Sequence, residues 1–212
     1  MVGEFFPGHR PPVGRAAGEP RRAAPLLLVV LSLLAFVLPS AAFPQETPVS
    51  VEDQIILILK ILTYDRQLEF KAGKELTIGV VYNPSEPASV KASQEASEVL
   101  TRYGTKSVKG LPIRHYLVEY TSPTSLDTVL KGRAIGVFYV CPGTRGLDHL
   151  LKTSESHQIT TTTGVRSFVS QGIAVGVASN GEKPLIFINL PSAKAEGVEF
   201  DASLLRIATI VR

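Results

Sequence analysis

The sequence predicts an α/β fold: a three-layer sandwich in which a mostly parallel sheet is flanked by helices and carries an antiparallel hairpin near its C-terminus. Three observations lead there. Runs such as 76–82 and 134–140 are apolar almost without a break, as strands covered on both faces are. Between them apolar residues recur at helical spacing, so strand and helix alternate. Late in the chain Asn180-Gly181 lies between the apolar runs 173–178 and 185–190, a strong hairpin signal.

Before this domain comes a leader. Residues 1–22 are rich in Pro, Gly and Arg, and residues 23–38 form an apolar run without a charge. Pro39-Ser40-Ala41-Ala42 places small residues at the −3 and −1 positions of a cleavage site after Ala42. A basic start, an apolar centre and a small-residue exit predict a signal peptide over 1–42, and hence export to the periplasm. A retained anchor is the rival, but the run falls short of the ~20 residues of a spanning helix, and Pro25 and Pro39 bracket it. Residues 43–49 are expected to be a flexible mature N-terminus, and 50–212 a single α/β domain.

The leader also holds the charge asymmetry. The chain carries a net charge of +3, but Arg10, Arg15, Arg21 and Arg22 face only Glu4 and Glu19 within the leader. The remainder is close to neutral and has no electrostatic footprint for nucleic acid. With 44% hydrophobic and 19% charged residues the composition is globular.

The elements follow in order. Ser50, with Asp53 three residues on, reads as an N-cap for a helix whose broad apolar face carries Ile55, Ile56, Ile58, Leu59, Ile61 and Leu62. The strand 76–82 ends at Asn83-Pro84-Ser85-Glu86-Pro87. Ala92, Ala96, Val99, Leu100 and Tyr103 mark the next helix, with Gly104 at its C′ position. Residues 113–120 complete a βαβ unit. A short helix over 125–130, a strand over 134–140, a turn over 142–146, and a helix beginning at 147 continue the rhythm. A threonine-rich strand over 158–163 and a turn or two of helix over 165–170 precede the hairpin. Pro191 and Gly197 frame a short helical piece. Asp201 is expected to cap a final, well-buried helix with Leu204, Leu205, Ile207, Ala208, Ile210 and Val211.

Little in this chain points to catalysis or to a cofactor. His9, His115, His149 and His157 are scattered, no pair has helical ligand spacing, and the lone Cys141 offers no partner, so no metal site is predicted. Cys141 lies in an apolar strand and reads as a small buried hydrophobe. There is no Gly-x-Ser-x-Gly elbow and no Gly-rich phosphate loop. The carboxylate pairs Glu95/Glu98 and Glu196/Glu199 read as solvated surface. Ligands of open α/β sheets collect at the carboxyl ends of strands. Two such ends stand out and supply the ligand-binding candidates: Tyr82, Asn83 and Ser85 at one, Thr144 and Arg145 at the other, where a helix start and a guanidinium could hold an anion. The plainer alternative is that Ser85 and Thr144 cap helices and Arg145 faces water.

Residues of the C-terminal third carry a resemblance. Lys183-Pro184-Leu185-Ile186-Phe187-Ile188-Asn189-Leu190, then Ala193, Ala195, Gly197 and Val198, then Ala202-Ser203-Leu204-Leu205-Arg206-Ile207-Ala208, resemble the ending of the YfiR-like family of periplasmic proteins. Upstream, residues 55–62, 76–81 and 160–168 are similar to the family's opening helix, first strand and strand-then-Phe segment. The resemblance spans roughly 50–212 and is strongest in 160–212. The chain departs from the family in having Tyr64-Asp65 where a Trp-Pro is usual, Gln171-Gly172 for Gly-Gly, and one cysteine where members often carry pairs. The resemblance implies a non-enzymatic periplasmic regulator, dimeric, that binds the periplasmic part of an inner-membrane signalling protein such as a diguanylate cyclase and so influences cyclic-di-GMP and biofilm behaviour. The competing reading is a periplasmic solute-binding protein associated with a transporter.

Overall fold

The computed structural model describes residues 49–179, 181 and 183–211. The predicted signal peptide lies outside them, and among the described residues no helix is long and apolar enough to cross a membrane.

The chain opens with α1 (Val51–Leu62), whose N-cap is Ser50 as the sequence predicts: its Oγ accepts from Asp53 N at 3.0 Å and donates to the Asp53 carboxylate at 2.7 Å. A short α2 (Leu68–Ala72) leads to β1 (Leu76–Tyr82), then α3 (Pro87–Tyr103). β2 (Ser107–Val108) and β3 (Leu111–Glu119) form a tight hairpin over Lys109-Gly110, both at positive φ (51° and 81°), the twist that suits a two-residue turn between right-handed strands. There follow α4 (Pro123–Gly132), β4 (Val137–Val140), α5 (Leu147–His157), β5 (Thr160–Thr163) and α6 (Arg166–Ser170). The chain closes with β6 (Val175–Ser179), β7 (Pro184–Asn189), α7 (Leu190–Ala195), α8 (Ala202–Leu205) and β8 (Thr209–Val211).

The strands make one eight-stranded sheet in the order β2-β3-β1-β4-β5-β6-β7-β8. Pairings β3·β1, β1·β4, β4·β5, β5·β6 and β7·β8 are parallel; β2·β3 and β6·β7 are antiparallel. The predicted fold class and the predicted hairpin are both present. Ser179 pairs with Pro184, so four positions separate the strands and not the two of the Asn-Gly signal; Asn180 and Glu182 lie outside the described residues.

Strand alternation sorts the core into two layers. Ile78, Val80, Val137, Tyr139 and Cys141 face α1 and α3, with Leu68, Ala193 and Leu204 from the short helices. Val81, Phe138 and Val140 face the other way, against Leu126 of α4 and Leu147 and Leu150 of α5. Gly79 belongs to that second face: a Cβ there would come 2.8 Å from the Phe138 ring, so the ring takes the space a side chain would need.

Three expectations about elements fail. The final helix is a single turn: after Leu205 the chain turns at Ile207, which is 71% exposed, and Thr209, Ile210 and Val211 join the sheet beside β7. These β-branched residues find an open strand edge to pair with, and an apolar run of that length fits strand or helix equally. Gly104 follows α3 but sits at φ −60°, without the left-handed turn of a C′ glycine. The strand expected over 134–140 is β4, which begins at Val137, three residues later than its apolar run.

Candidate functional site

Two clefts mark the two ends of the sheet. The first lies at the carboxyl end, where three loops meet. The β1–α3 loop brings Asn83, Ser85 and Glu86, the β3–α4 loop Tyr120 to Pro123, and the β4–α5 loop Arg145, Gly146, Asp148 and His149, around about 540 Å³. This is the switch point of the winding: β1 is followed by a helix on one face, β4 by a helix on the other, and the two strands are neighbours. The loops leaving them diverge and open a crevice between their helices.

The loops are held rigidly. Asn83 Oδ1 accepts from Ser85 N at 3.0 Å, its amide nitrogen donates to Gly143 O at 3.2 Å, and its backbone N–H donates to Ser89 Oγ at 2.9 Å. Gly143, at φ +75°, lets Glu86 pack close: a Cβ would lie 2.3 Å from Glu86 Cγ. The Tyr120 hydroxyl donates to Gly146 O at 2.9 Å, tying the β3 end to the start of α5; burial pushes that phenol above its usual range. His149 Nε2 lies 3.8 Å from Asp127 Oδ1.

Of the five residues singled out from sequence, this cleft brings together Asn83, Ser85 and Arg145. Tyr82 does not line it; its hydroxyl donates to Glu119 Oε1 at 2.9 Å. Thr144 is buried, and its Oγ1 donates to Cys141 O at 2.8 Å. The capping alternative also fails, since α3 begins from Glu86 and α5 from Gly146 at φ +69°, neither with a side-chain cap. Arg145 is exposed at the mouth. Tyr120 escaped the sequence reading, although its place just after β3 was the available signal. The groups present can hold a polar ligand by hydrogen bonds and charge from both signs.

The second cleft, about 630 Å³ at the amino end, is lined by Lys71, Gly136, Gln158, Gly197 and their neighbours, with Phe70 standing 89% exposed. Beneath it lies a buried charge cluster that the sequence reading missed. Glu196 was expected on the surface and is instead fully buried. Its carboxyl accepts from Thr161 N at 2.7 Å and Thr161 Oγ1 at 2.6 Å, and burial pushes its pKa up to about 8. Lys71 Nζ donates to Thr160 Oγ1 at 2.7 Å and to Glu196 O at 2.9 Å, and lies 3.9 Å from Asp65 Oδ2. Burial lowers its pKa. Asp65 Oδ1 accepts from Gln67 N and Glu199 N, whereas Oδ2 has no hydrogen-bond partner. Glu199 and Glu98 are exposed and Glu95 half-buried.

Cys141 is buried as expected, its thiol pushed up to about 12 by desolvation. His115 Nε2 lies 2.9 Å from Ser97 Oγ, and His157 Nδ1 lies 3.0 Å from Thr153 O. No group of three or more His, Cys, Asp or Glu able to hold a metal occurs among the described residues.

Comparison with known proteins adds the context. Among solved structures, an ABC domain from Streptococcus pneumonia in complex with L-Trp is similar in fold, with a TM-score of 0.53 at 17% identity over 76% of this chain and 60% of that one. A conserved domain protein from Vibrio cholerae (TM-score 0.48, 15% identity, 76% of this chain and 60% of that one) also matches. So does CD0873, a substrate binding protein with adhesive properties from Clostridium difficile (TM-score 0.46, 18% identity, 69% and 57%). The chain therefore spans about 60% of the length of these structures. No curated protein matches it. The family model described as YfiR/HmsC-like (DUF4154) matches residues 57–209, from α1 to the first residue of β8, and the chain belongs to that family.

Proposed function

We propose that this protein is a non-enzymatic regulator, exported by a signal peptide cleaved after Ala42, whose single domain over 50–212 acts in the periplasm as a homodimer. It binds the periplasmic part of an inner-membrane signalling protein, such as a diguanylate cyclase, and modulates it, with consequences for cyclic-di-GMP and biofilm behaviour. The observation that carries this is the family match over 57–209, since YfiR-like proteins are periplasmic regulators. The test is a pull-down with tagged protein from the source cell's own detergent-solubilised membranes. Recovery of a cyclase or sensor with a periplasmic domain supports the reading. Recovery of a transporter permease overturns it.

A second reading rests on the switch-point cleft. Its volume, about 540 Å³, and its lining of Asn83, Ser85 and Arg145 suit a small polar solute, as in a transporter-associated binding protein. L-Trp, the ligand of the Streptococcus domain, is the first probe. A rise in melting temperature that Arg145→Ala abolishes supports a solute site there, and no response to L-Trp counts against that ligand.

A further inference from the structure

The outer edge of β3 is open. β2 covers only Leu111 and Pro112, while β1 lies along the other side from Ile113 to Glu119. Tyr120 N donates to Tyr82 O, so the even-numbered residues of this ladder turn their backbone groups toward β1 and the odd-numbered ones turn theirs outward. His115, Leu117 and Glu119 thus present N–H and C=O groups with no strand beside them among the described residues. Leu117 is 47% and Tyr116 39% exposed. A long open edge with exposed apolar side chains is a template for another strand. The opposite edge, β8, has only three residues.

We propose that this edge joins two copies of the chain, antiparallel, about a two-fold axis through Leu117, so that two sheets become one. The pattern of polar and apolar side chains argues for both occupant and register. A two-fold axis normal to the sheet keeps each side chain on its own face, so it must pass through a residue. Through Leu117, His115 faces the partner subunit's Glu119 and Glu119 the partner subunit's His115, Tyr116 faces the partner subunit's Val118, and the two exposed leucines meet at the centre. Shifted to Tyr116, the axis sets His115 against leucine and Glu119 against Ile113, and both complementary pairs are lost. The two polar side chains are already positioned, His115 by Ser97 Oγ at 2.9 Å and Glu119 by the Tyr82 hydroxyl at 2.9 Å. Such an interface is isologous and closes on itself. It deepens the homodimer of the proposed function and is independent of which membrane protein is bound.

The test uses the protein expressed from its full reading frame and purified in its exported form, with its mass in solution measured by light scattering. The expected result is a dimer. Leu117→Lys places like charges on the axis and should weaken it by about tenfold or more, with the melting temperature of the subunit unchanged because the side chain is half exposed. Leu117→Cys should yield a covalent dimer on oxidation, since residues facing each other across a hydrogen-bonded pair lie ~5.5 Å apart at Cα, within disulfide reach. Tyr116→Cys should not, and buried Cys141 should not compete. A monomer at every soluble concentration overturns both this interface and the homodimer. A dimer indifferent to Leu117→Lys overturns the interface alone, and cross-linking through Tyr116→Cys instead overturns the register. A dimer that captures no membrane protein counts against the regulator reading and leaves this one standing.

Discussion

The two ends of the sheet solve opposite problems with similar residues. At the carboxyl end Arg145, Glu86 and Asp148 rim an open crevice, and the loops beneath are fixed by neutral hydrogen bonds such as Asn83 to Gly143 and Tyr120 to Gly146. At the amino end Lys71, Asp65 and Glu196 are withdrawn from water and depend on partners inside the protein, among them Thr160 and Thr161. A charge left in water costs little to keep and is free to meet a ligand. A charge taken out of water costs several kcal/mol unless paired, so it serves to hold α2, α7 and β5 in one arrangement. The carboxyl end is therefore where substitution should change binding, and the amino end where it should change stability.

Breaking the buried cluster should have the largest effect. Lys71→Met leaves Asp65 without its counter-charge and should cost about 3–5 kcal/mol, read as a lower midpoint in urea. Arg145→Ala at the other end should stay within ~0.5 kcal/mol of the parent in the same experiment. If the two variants lose equal stability, the contrast between the ends is wrong.

The next effect is a slope with pH. The folded-state pKa of Glu196 is pushed up to about 8, above that of an unfolded glutamate. The native state therefore holds a proton that the unfolded state has released, and stability should fall as pH rises from about 4.5 towards 8, by at most ~1.4 kcal/mol per pH unit. Urea midpoints between pH 5 and 8 measure this, and Glu196→Gln should flatten that share of the slope. The lowered pKa of Lys71 acts at higher pH and in the opposite sense, adding stability as pH climbs towards 10.5.

Tyr120→Phe should cost about 1 kcal/mol, the worth of one hydrogen bond, and should loosen the start of α5, visible as faster amide exchange around Gly146. Smallest of all, thiol reagents should leave Cys141 unmodified in the native protein, since its sulfur is buried and protonated. Rapid labelling would show that this part of the core opens.

What sequence revealed follows the range of the forces involved. The βαβ unit over 76–119 was legible because periodicity within each segment already states which face is buried. The crevice was legible in part: the rule about carboxyl ends led to Asn83, Ser85 and Arg145, but nothing local told that Thr144 turns inward to bond Cys141 O. The last segment was misread because Leu204 to Val211 is apolar enough for a helix, and only the open side of β7 decides for a strand. The Lys109-Gly110 turn was missed because lysine at positive φ has no compositional signal. The buried cluster was invisible for a different reason: Lys71 and Glu196 stand 125 positions apart, and no pattern in either neighbourhood announces the other.

The strand of four threonines, Thr160 to Thr163, is wholly buried, yet each hydroxyl is engaged. Thr160 accepts from Lys71, Thr161 donates to Glu196, Thr162 donates to Phe138 O at 2.9 Å, and Thr163 donates to Val140 O at 2.8 Å. A valine strand could slide by two residues along β4 and still find apolar neighbours. This one cannot: any displacement strands several hydroxyls in a dry interior, at roughly 1–3 kcal/mol each. β5 therefore acts as a proofreader, accepting its neighbours in a single alignment and penalising every other.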